Sequence, residues 1–296
     1  MKKMFLKFVF VMCAVTLSGF VFSSCSKDDN GGGSDNGKTD PSTIAASNLV
    51  AYFPFDGNGN DVKGRTVTPK NVTASDFVTG RRGQAYQGKE GSGFIYALST
   101  GDRIAKAKGL TFAMWIKTPA PVGGSPALFQ INGTTTDWDV PGSFTLQFQD
   151  ATQLVDSVGF KMYQFNTATE WTGQWSNLFS TPDFPANTWF HFVAMYDEST
   201  SSYKAYSNGK LVWSEVHFAG PVPDGGGDQP LLGNMSLPAD ANKLYVGAWW
   251  KLLEGQTADD WAQYFVGTLD EVRIYDRGLT DAEVAALFAA EVTQLN

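Results

Sequence analysis

From Leu49 onward the chain repeats one local pattern: a short aromatic and apolar run, then a break rich in glycine, proline or small polar residues. Leu-Val-Ala-Tyr-Phe at 49–53, Leu-Thr-Phe-Ala-Met-Trp-Ile at 110–116, Phe-Thr-Leu-Gln-Phe at 144–148 and Trp-Phe-His-Phe-Val-Ala-Met-Tyr at 189–196 are runs of this kind. Such runs are shorter than an ordinary helix and rich in residues that suit a pleated surface. Phe144, Leu146 and Phe148 alternate with Thr145 and Gln147, the two-residue period of a half-buried strand. Residues 203–213 read as a hairpin, because Asn208-Gly209 supplies the positive backbone angles of a tight turn. Many short strands separated by turn residues predict an all-β chain, two antiparallel sheets packed as a sandwich. One helix is expected at the end. Thr280-Asp281-Ala282-Glu283 reads as a capping box, and Val284, Leu287 and Phe288 then share one face.

The N-terminus obeys another rule. Lys2, Lys3 and Lys7 lead into an apolar stretch from Phe8 to Phe22, shorter than the roughly 20 residues that span a bilayer. A basic start and a short apolar run are an export signal rather than a fold element. The stretch ends in Phe22-Ser23-Ser24-Cys25, which resembles a bacterial lipobox. The resemblance implies a lipoprotein signal peptide over 1–24 and a lipid on Cys25. Residues 25–45 hold almost nothing apolar at their start and read as a flexible tether. Within it, Ser26-Lys27-Asp28-Asp29 resembles the surface-export signal of Bacteroidetes lipoproteins, which implies an outer-membrane protein facing the cell exterior. The alternative reading of that tetrapeptide is a plain solvated linker. Cys13 and Cys25 are the only cysteines. One leaves with the leader and the other carries lipid, so residues 46–296 have no thiol. Cysteine nucleophiles, zinc–thiolate sites and disulfides are thereby excluded from the domain.

The formal net charge is −8, and loss of the three leader lysines makes the remainder more acidic. Nucleic acid and anionic lipid faces need a basic partner surface, so neither is expected to bind. Membrane attachment is expected through the lipid anchor only.

Three segments resemble the laminin-G-like, concanavalin A-like jelly-roll family. They are Leu49 to Asp61; Trp189 to Asp197 with the Asn208-Gly209 hairpin; and Phe265 to Thr280, in which strand, turn and capped helix follow in the family's order. The resemblance spans about residues 48–290. It implies the concanavalin A-like lectin/glucanase fold, with a short C-terminal helix. It leaves function open, because that sandwich hosts lectins, adhesion modules and glycosidases. The loop Asp56-Gly57-Asn58-Gly59-Asn60-Asp61 resembles one that binds structural calcium in relatives, where the aspartate of the last strand also approaches. The implied ligand set is Asp56, Asn58, Asn60, Asp61 and Asp270, oxygen donors of the kind calcium takes. Lys63 opposes a cation there, and an ordinary polar turn is the competing reading.

Nine tryptophans need placing. Trp115 and Trp189 lie in apolar runs and are expected in the core; Trp213 suits either side. Trp138, Trp171, Trp175, Trp250 and Trp261 sit among polar residues. Rings flanked by Asp, Asn and Gln suit the apolar faces of sugars, so these five are the expected carbohydrate-binding set. Packing under long loops is the alternative. In Trp249-Trp250, alternation turns one ring in and one out.

Catalysis has little support in the sequence. A glycosidase needs two carboxylates facing one bond. Asp270 and Asp276 share a strand face but stand roughly 20 Å apart along it. Glu170, Glu215 and Glu254 are single acids, His191 sits in an apolar strand, and no nucleophile elbow or metalloprotease helix occurs. The expectation is a non-catalytic, lectin-like surface lipoprotein whose partner is a glycan or polysaccharide. A protein-binding or adhesion module that meets other surface proteins is the alternative, and a glycoside hydrolase comes third.

Overall fold

The computed structural model describes residues 38–64, 70–71, 76–99, 101–121, 123–132, 144–149, 156–164, 182–218, 230–237 and 240–295. Among these, the strands in chain order are β1 (Leu49–Phe53), β2 (Lys70–Asn71), β3 (Asp76–Thr79), β4 (Gln84–Gly88), β5 (Phe94–Ala97), β6 (Leu110–Lys117), β7 (Ser125–Asn132) and β8 (Phe144–Phe148). There follow β9 (Phe160–Gln164), β10 (Phe190–Asp197), β11 (Ser202–Ser207), β12 (Lys210–Val216), β13 (Lys243–Val246), β14 (Ala262–Gln263) and β15 (Gly267–Tyr275). Two helices complete the chain, α1 (Trp250–Leu253) and α2 (Asp281–Thr293).

The strands form two sheets, as the alternation of short apolar runs predicts. One has the order β12-β11-β10-β6-β15-β4-β3, with β1 also on β15. The other runs β2-β5-β13-β7-β8-β9, with β14 on β7. First and last strands lie side by side: β1 pairs antiparallel with β15, Phe53 opposite Val272. β15 holds β6 along one edge; β4 and then β1 share the other. A bulge between Asp270 and Arg273 marks that change of partner, with Glu271 at φ +52°.

The core is the space between the sheets. Phe112 meets Phe129 and Phe144 at ring-centroid distances of 4.9 and 5.4 Å, and Phe160 stacks on Phe192 at 3.9 Å. Each such ring removed from water contributes about 1.5–3 kcal/mol. The hairpin turn is as expected, Asn208 and Gly209 both at positive φ.

Helix α2 forms a third layer. Its capping box is complete: Thr280 Oγ1 accepts from the Glu283 amide, and Glu283 Oε2 accepts from the Thr280 amide. Val284 and Leu287 pack on Ala113, Val193, Met195 and Tyr275, the outer side of the β10-β6-β15 sheet. Phe288 adds ring contacts to Trp115 and His191. Trp115 is therefore buried beneath α2 rather than between the sheets. The half-buried reading of β8 differs from what is found. Phe144, Leu146 and Phe148 do face the core, but Thr145 is also fully buried and accepts a 3.3 Å hydrogen bond from Gln130 Nε2.

Candidate functional site

Alternation along β10 sends Phe190 and Phe192 into the core, so Trp189 and His191 take the opposite, outer side. His191 goes under α2. Trp189 lies beyond the helix. Register then builds a row across the outer face of the sheet. Phe190 pairs with Ile116 at the end of the ladder, which brings the next residues, Trp189 and Lys117, beside one another. Lys117 pairs with Thr268, Thr268 with Gln87, and Gln87 with Asp76. Paired residues share a face, so this is one continuous line over five strands. From Trp189 to Gln87 it spans about 14 Å at ordinary strand spacing.

Trp189, Lys117, Thr268 and Gln87 of this row floor a cleft of about 310 Å³, walled by Val78, Thr79, Pro119, Asn187 and Val266. A second cleft of about 250 Å³ shares Thr118, Pro119 and Val266 with it and continues past Pro121, Phe148 and Tyr264. A third of about 440 Å³ shares Gln263, Tyr264 and Val266 with the second and ends at Glu90 and Leu252. The three form one groove around the exposed Val266.

Hydrogen bonding divides the lining into fixed and available groups. Thr118 Oγ1 donates to the Val266 carbonyl at 2.7 Å, and Gln87 Nε2 donates to the Gly267 carbonyl at 3.0 Å and the Gly88 carbonyl at 3.1 Å. These bonds close the backbone floor. Lys117, Thr79 and Asn187 are exposed and make no side-chain hydrogen bond or ion pair among the described residues. Among the described residues lining the three clefts, Glu90 is the single carboxylate.

Trp250 and Trp261, two members of the expected sugar-facing set, are both partly exposed. Trp261 borders the groove through Ala262 and meets the buried Trp249 edge-on at 4.9 Å. Trp249 is 2% exposed and its Nε1 donates to the Ser125 carbonyl. One ring of the Trp249-Trp250 pair is thus in and the other partly out, though at a helix N-terminus rather than in a strand. Trp250 packs on the cluster of Ile95, Tyr245, Ala248 and Leu253, which the groove residues Leu252 and Tyr264 also join. Trp138, Trp171, Trp175 and Cys25 lie outside the described residues. Trp189 was expected in the core and instead lines the groove, partly exposed. The Phe190/Phe192 alternation was the signal that could have placed it there.

The expected calcium ligands separate into two groups. Asp56 Oδ1 accepts from the Gln84 amide at 2.7 Å, and Asp270 Oδ2 accepts from the Arg81 and Arg82 amides at 2.6 and 2.8 Å. Both carboxylates therefore press on the turn Gly80-Arg81-Arg82-Gly83. Asp270 is fully buried, its Oδ1 accepts no hydrogen bond, and burial pushes its carboxyl up to about 8. Asn58, Asn60 and Asp61 serve their own loop instead. Asn58 Oδ1 accepts from the Asn60 amide, and Asp61 Oδ1 accepts from the Tyr52 and Lys63 amides. Among the described residues no three His, Cys, Asp or Glu side chains are set to hold a metal.

Other carboxylates are spoken for. Asp276 Oδ2 accepts from Arg103 Nε at 2.8 Å, far in partners from Asp270. Glu271 and Glu291 both bind the Arg273 guanidinium, which also lies over the Tyr52 ring at 4.0 Å. The space lined by Arg82, Trp115, Glu271 and Glu291 has no free volume for even a water molecule. Burial and Arg273 hold His191 down at about 3, so it is neutral.

A family pattern described as the concanavalin A-like lectin/glucanases superfamily matches residues 90–248, more than half of the chain. No curated protein matches it. Among solved structures, domain 4 of AbnA, a GH43 extracellular arabinanase from Geobacillus stearothermophilus, in complex with arabinotriose, is similar with a TM-score of 0.50 and 17% identity; the match covers 81% of this chain and 98% of that one. The botulinum neurotoxin serotype G binding domain gives 0.53 and 12%, covering 81% of this chain and 50% of that one. A Trypanosoma rangeli sialidase mutant displaying trans-sialidase activity gives 0.50 and 16%, with 86% and 35% covered. At these identities the likeness is one of fold.

Proposed function

The chain belongs to the concanavalin A-like lectin/glucanase superfamily, and from that premise we propose that its sandwich is a non-catalytic carbohydrate-binding domain. The observation that carries the reading is the groove that begins at Trp189. It joins a partly exposed indole to unengaged polar side chains at Thr79, Lys117 and Asn187 on a rigid sheet. An aromatic wall with a few placed polar groups is what a sugar needs. Among the described lining residues Glu90 is the one carboxylate, whereas glycoside hydrolysis uses two. The AbnA domain of like fold holds arabinotriose.

The remaining expectations join this reading as its context. Cys25 carries the lipid, the tether leads away from the outer membrane, and the domain faces the exterior. Asp56 and Asp270 are the side chains that would hold a structural calcium ion, whose charge would offset the burial of Asp270. A second reading, docking of another surface protein, is favoured by one feature. The edge strand β12 and its continuation expose Leu211, Val216 and Phe218.

The test is calorimetric titration of the full chain with a panel of soluble polysaccharides, beside a Trp189→Ala variant of unchanged melting temperature. Binding that the variant loses supports the reading. Affinity unaltered by the substitution moves the site elsewhere, and no binding by any polysaccharide favours the protein-docking reading.

A further inference from the structure

We infer that the Trp189 end of the groove selects an anionic sugar residue, its ring lying against Trp189 and its carboxylate or sulfate bound by Lys117. The inference rests on the carbohydrate-binding reading above and names the class of sugar.

Among the described residues, Lys117 is the only charged one lining this cleft. It makes no ion pair among the described residues, whereas the nearest acid of the row, Asp76, is paired with Lys89 at 2.5 Å. The chain as a whole carries −8, so long-range forces repel an anion. At physiological ionic strength charges more than about 8 Å apart are largely screened, and a local cation decides binding. No acid among the described lining residues competes for Lys117, so a negative group on a ligand in this cleft meets the ammonium unopposed. A neutral sugar would leave the ammonium without a partner and gain less.

Geometry sets what else the ligand must be. Trp189 and Lys117 each follow directly on the last β10–β6 pair, Phe190 with Ile116, take the side opposite those two core residues, and line the same cleft. A flat apolar wall beside a cation fits a molecule that carries both an apolar face and a charge. Beyond Lys117 the Thr268 hydroxyl is spent on the Lys117 carbonyl and the Gln87 amide nitrogen on two backbone carbonyls. What remains for ligand hydroxyls is Thr79, Asn187 and the Gln87 carbonyl oxygen. A simple inorganic anion would use only the lysine; a peptide carboxylate would not need the hydroxyl partners. The cleft volume, about 310 Å³, is at the small end of ligand sites.

The experiment titrates the full chain with oligogalacturonate and with the same oligomer methyl-esterified, which keeps the ring and removes the charge. A chondroitin sulfate oligomer forms the sulfated arm. The expected result is that a charged probe binds roughly tenfold more tightly than its neutral counterpart, the scale of one charge-assisted hydrogen bond. Lys117→Gln should abolish that preference, Lys117→Arg should keep it, and Trp189→Ala should weaken charged and neutral probes alike. Preference for one charged arm identifies carboxylate or sulfate. Equal affinity for charged and esterified oligomers, or a preference that survives Lys117→Gln, overturns the inference while the carbohydrate reading stands. Absence of binding by every probe, neutral ones included, removes the carbohydrate reading and the inference with it.

Discussion

Trp115 and Glu291 are joined by a 2.5 Å hydrogen bond from the indole Nε1 to Oε2, which ties the middle of β6 to the last turn of α2. The other oxygen of Glu291 binds Arg273, and Arg273 in turn holds Glu271 at 3.0 Å. All four side chains are nearly or fully buried. The helix is therefore fixed by a polar network at its C-terminal end and by Val284 and Leu287 at its middle.

Removing one member leaves a buried guanidinium short of charge. Glu291→Ala is expected to cost about 3–5 kcal/mol, measured by urea unfolding. A loss under about 1 kcal/mol would mean that water replaces the carboxylate without difficulty.

The same group sets a pH dependence. Burial, opposed by Arg273, pushes the Glu291 carboxyl from 4.5 up to about 7. The groups facing it are Arg273 and Glu271 from β15, Trp115 from β6, neutral His191 from β10 and Arg82 from the β3–β4 turn. A folded-state value above the unfolded one gives stability that is complete below about pH 4.5 and is lost as pH rises through about 7. The melting temperature should fall between pH 5 and 8, and less steeply in Glu291→Gln. Identical slopes for the two proteins would refute the assignment.

The β3–β4 turn is expected to tolerate no side chain at Gly80. A Cβ there would stand 2.5 Å from Asp270 Oδ2 and 2.8 Å from the Gln84 carbonyl carbon. Gly80→Ala should destabilise the fold by about 1–3 kcal/mol through displacement of the amides that hold Asp270. Thr280→Ala, by contrast, removes one cap and should cost about 1 kcal/mol.

Calcium binding at Asp56 and Asp270 would show as ligand-linked stability. At a hundred times Kd, calcium should raise the melting temperature by roughly 5–10 °C, and a chelator should reverse the rise. Asp270→Asn should abolish the response. A wild-type melting curve indifferent to millimolar calcium sinks the metal reading and leaves Asp270 as a buried acid of the turn.

Two tryptophans should separate stability from binding. Trp249→Ala empties a buried site and should cost about 3–5 kcal/mol by denaturant titration. Trp189→Ala touches a partly exposed ring, and its effect should appear in glycan affinity while the melting temperature stays within a few degrees.

Local chemistry in the sequence determined the sandwich, the hairpin at Asn208-Gly209 and the capped helix at Thr280, because strand period, turn angles and end-capping are decided within a few residues. The meeting of β1 with β15 followed from the family pattern and needed only the register to complete it. The binding surface was harder to read. Trp189 opens an apolar run and looks like core; the side it takes depends on strand alternation and on where α2 stops covering the sheet. Lys117, Thr268 and Gln87 lie far apart in sequence, and two strand pairings, β6 with β15 and β15 with β4, are required to put them in one row. Asp270 reads in the sequence as a candidate calcium ligand; its full burial against the Gly80–Gly83 turn is a matter of tertiary packing. Composition and periodicity act along the chain, whereas a site is a coincidence of faces, and only the packing of strands and helix decides which faces remain uncovered.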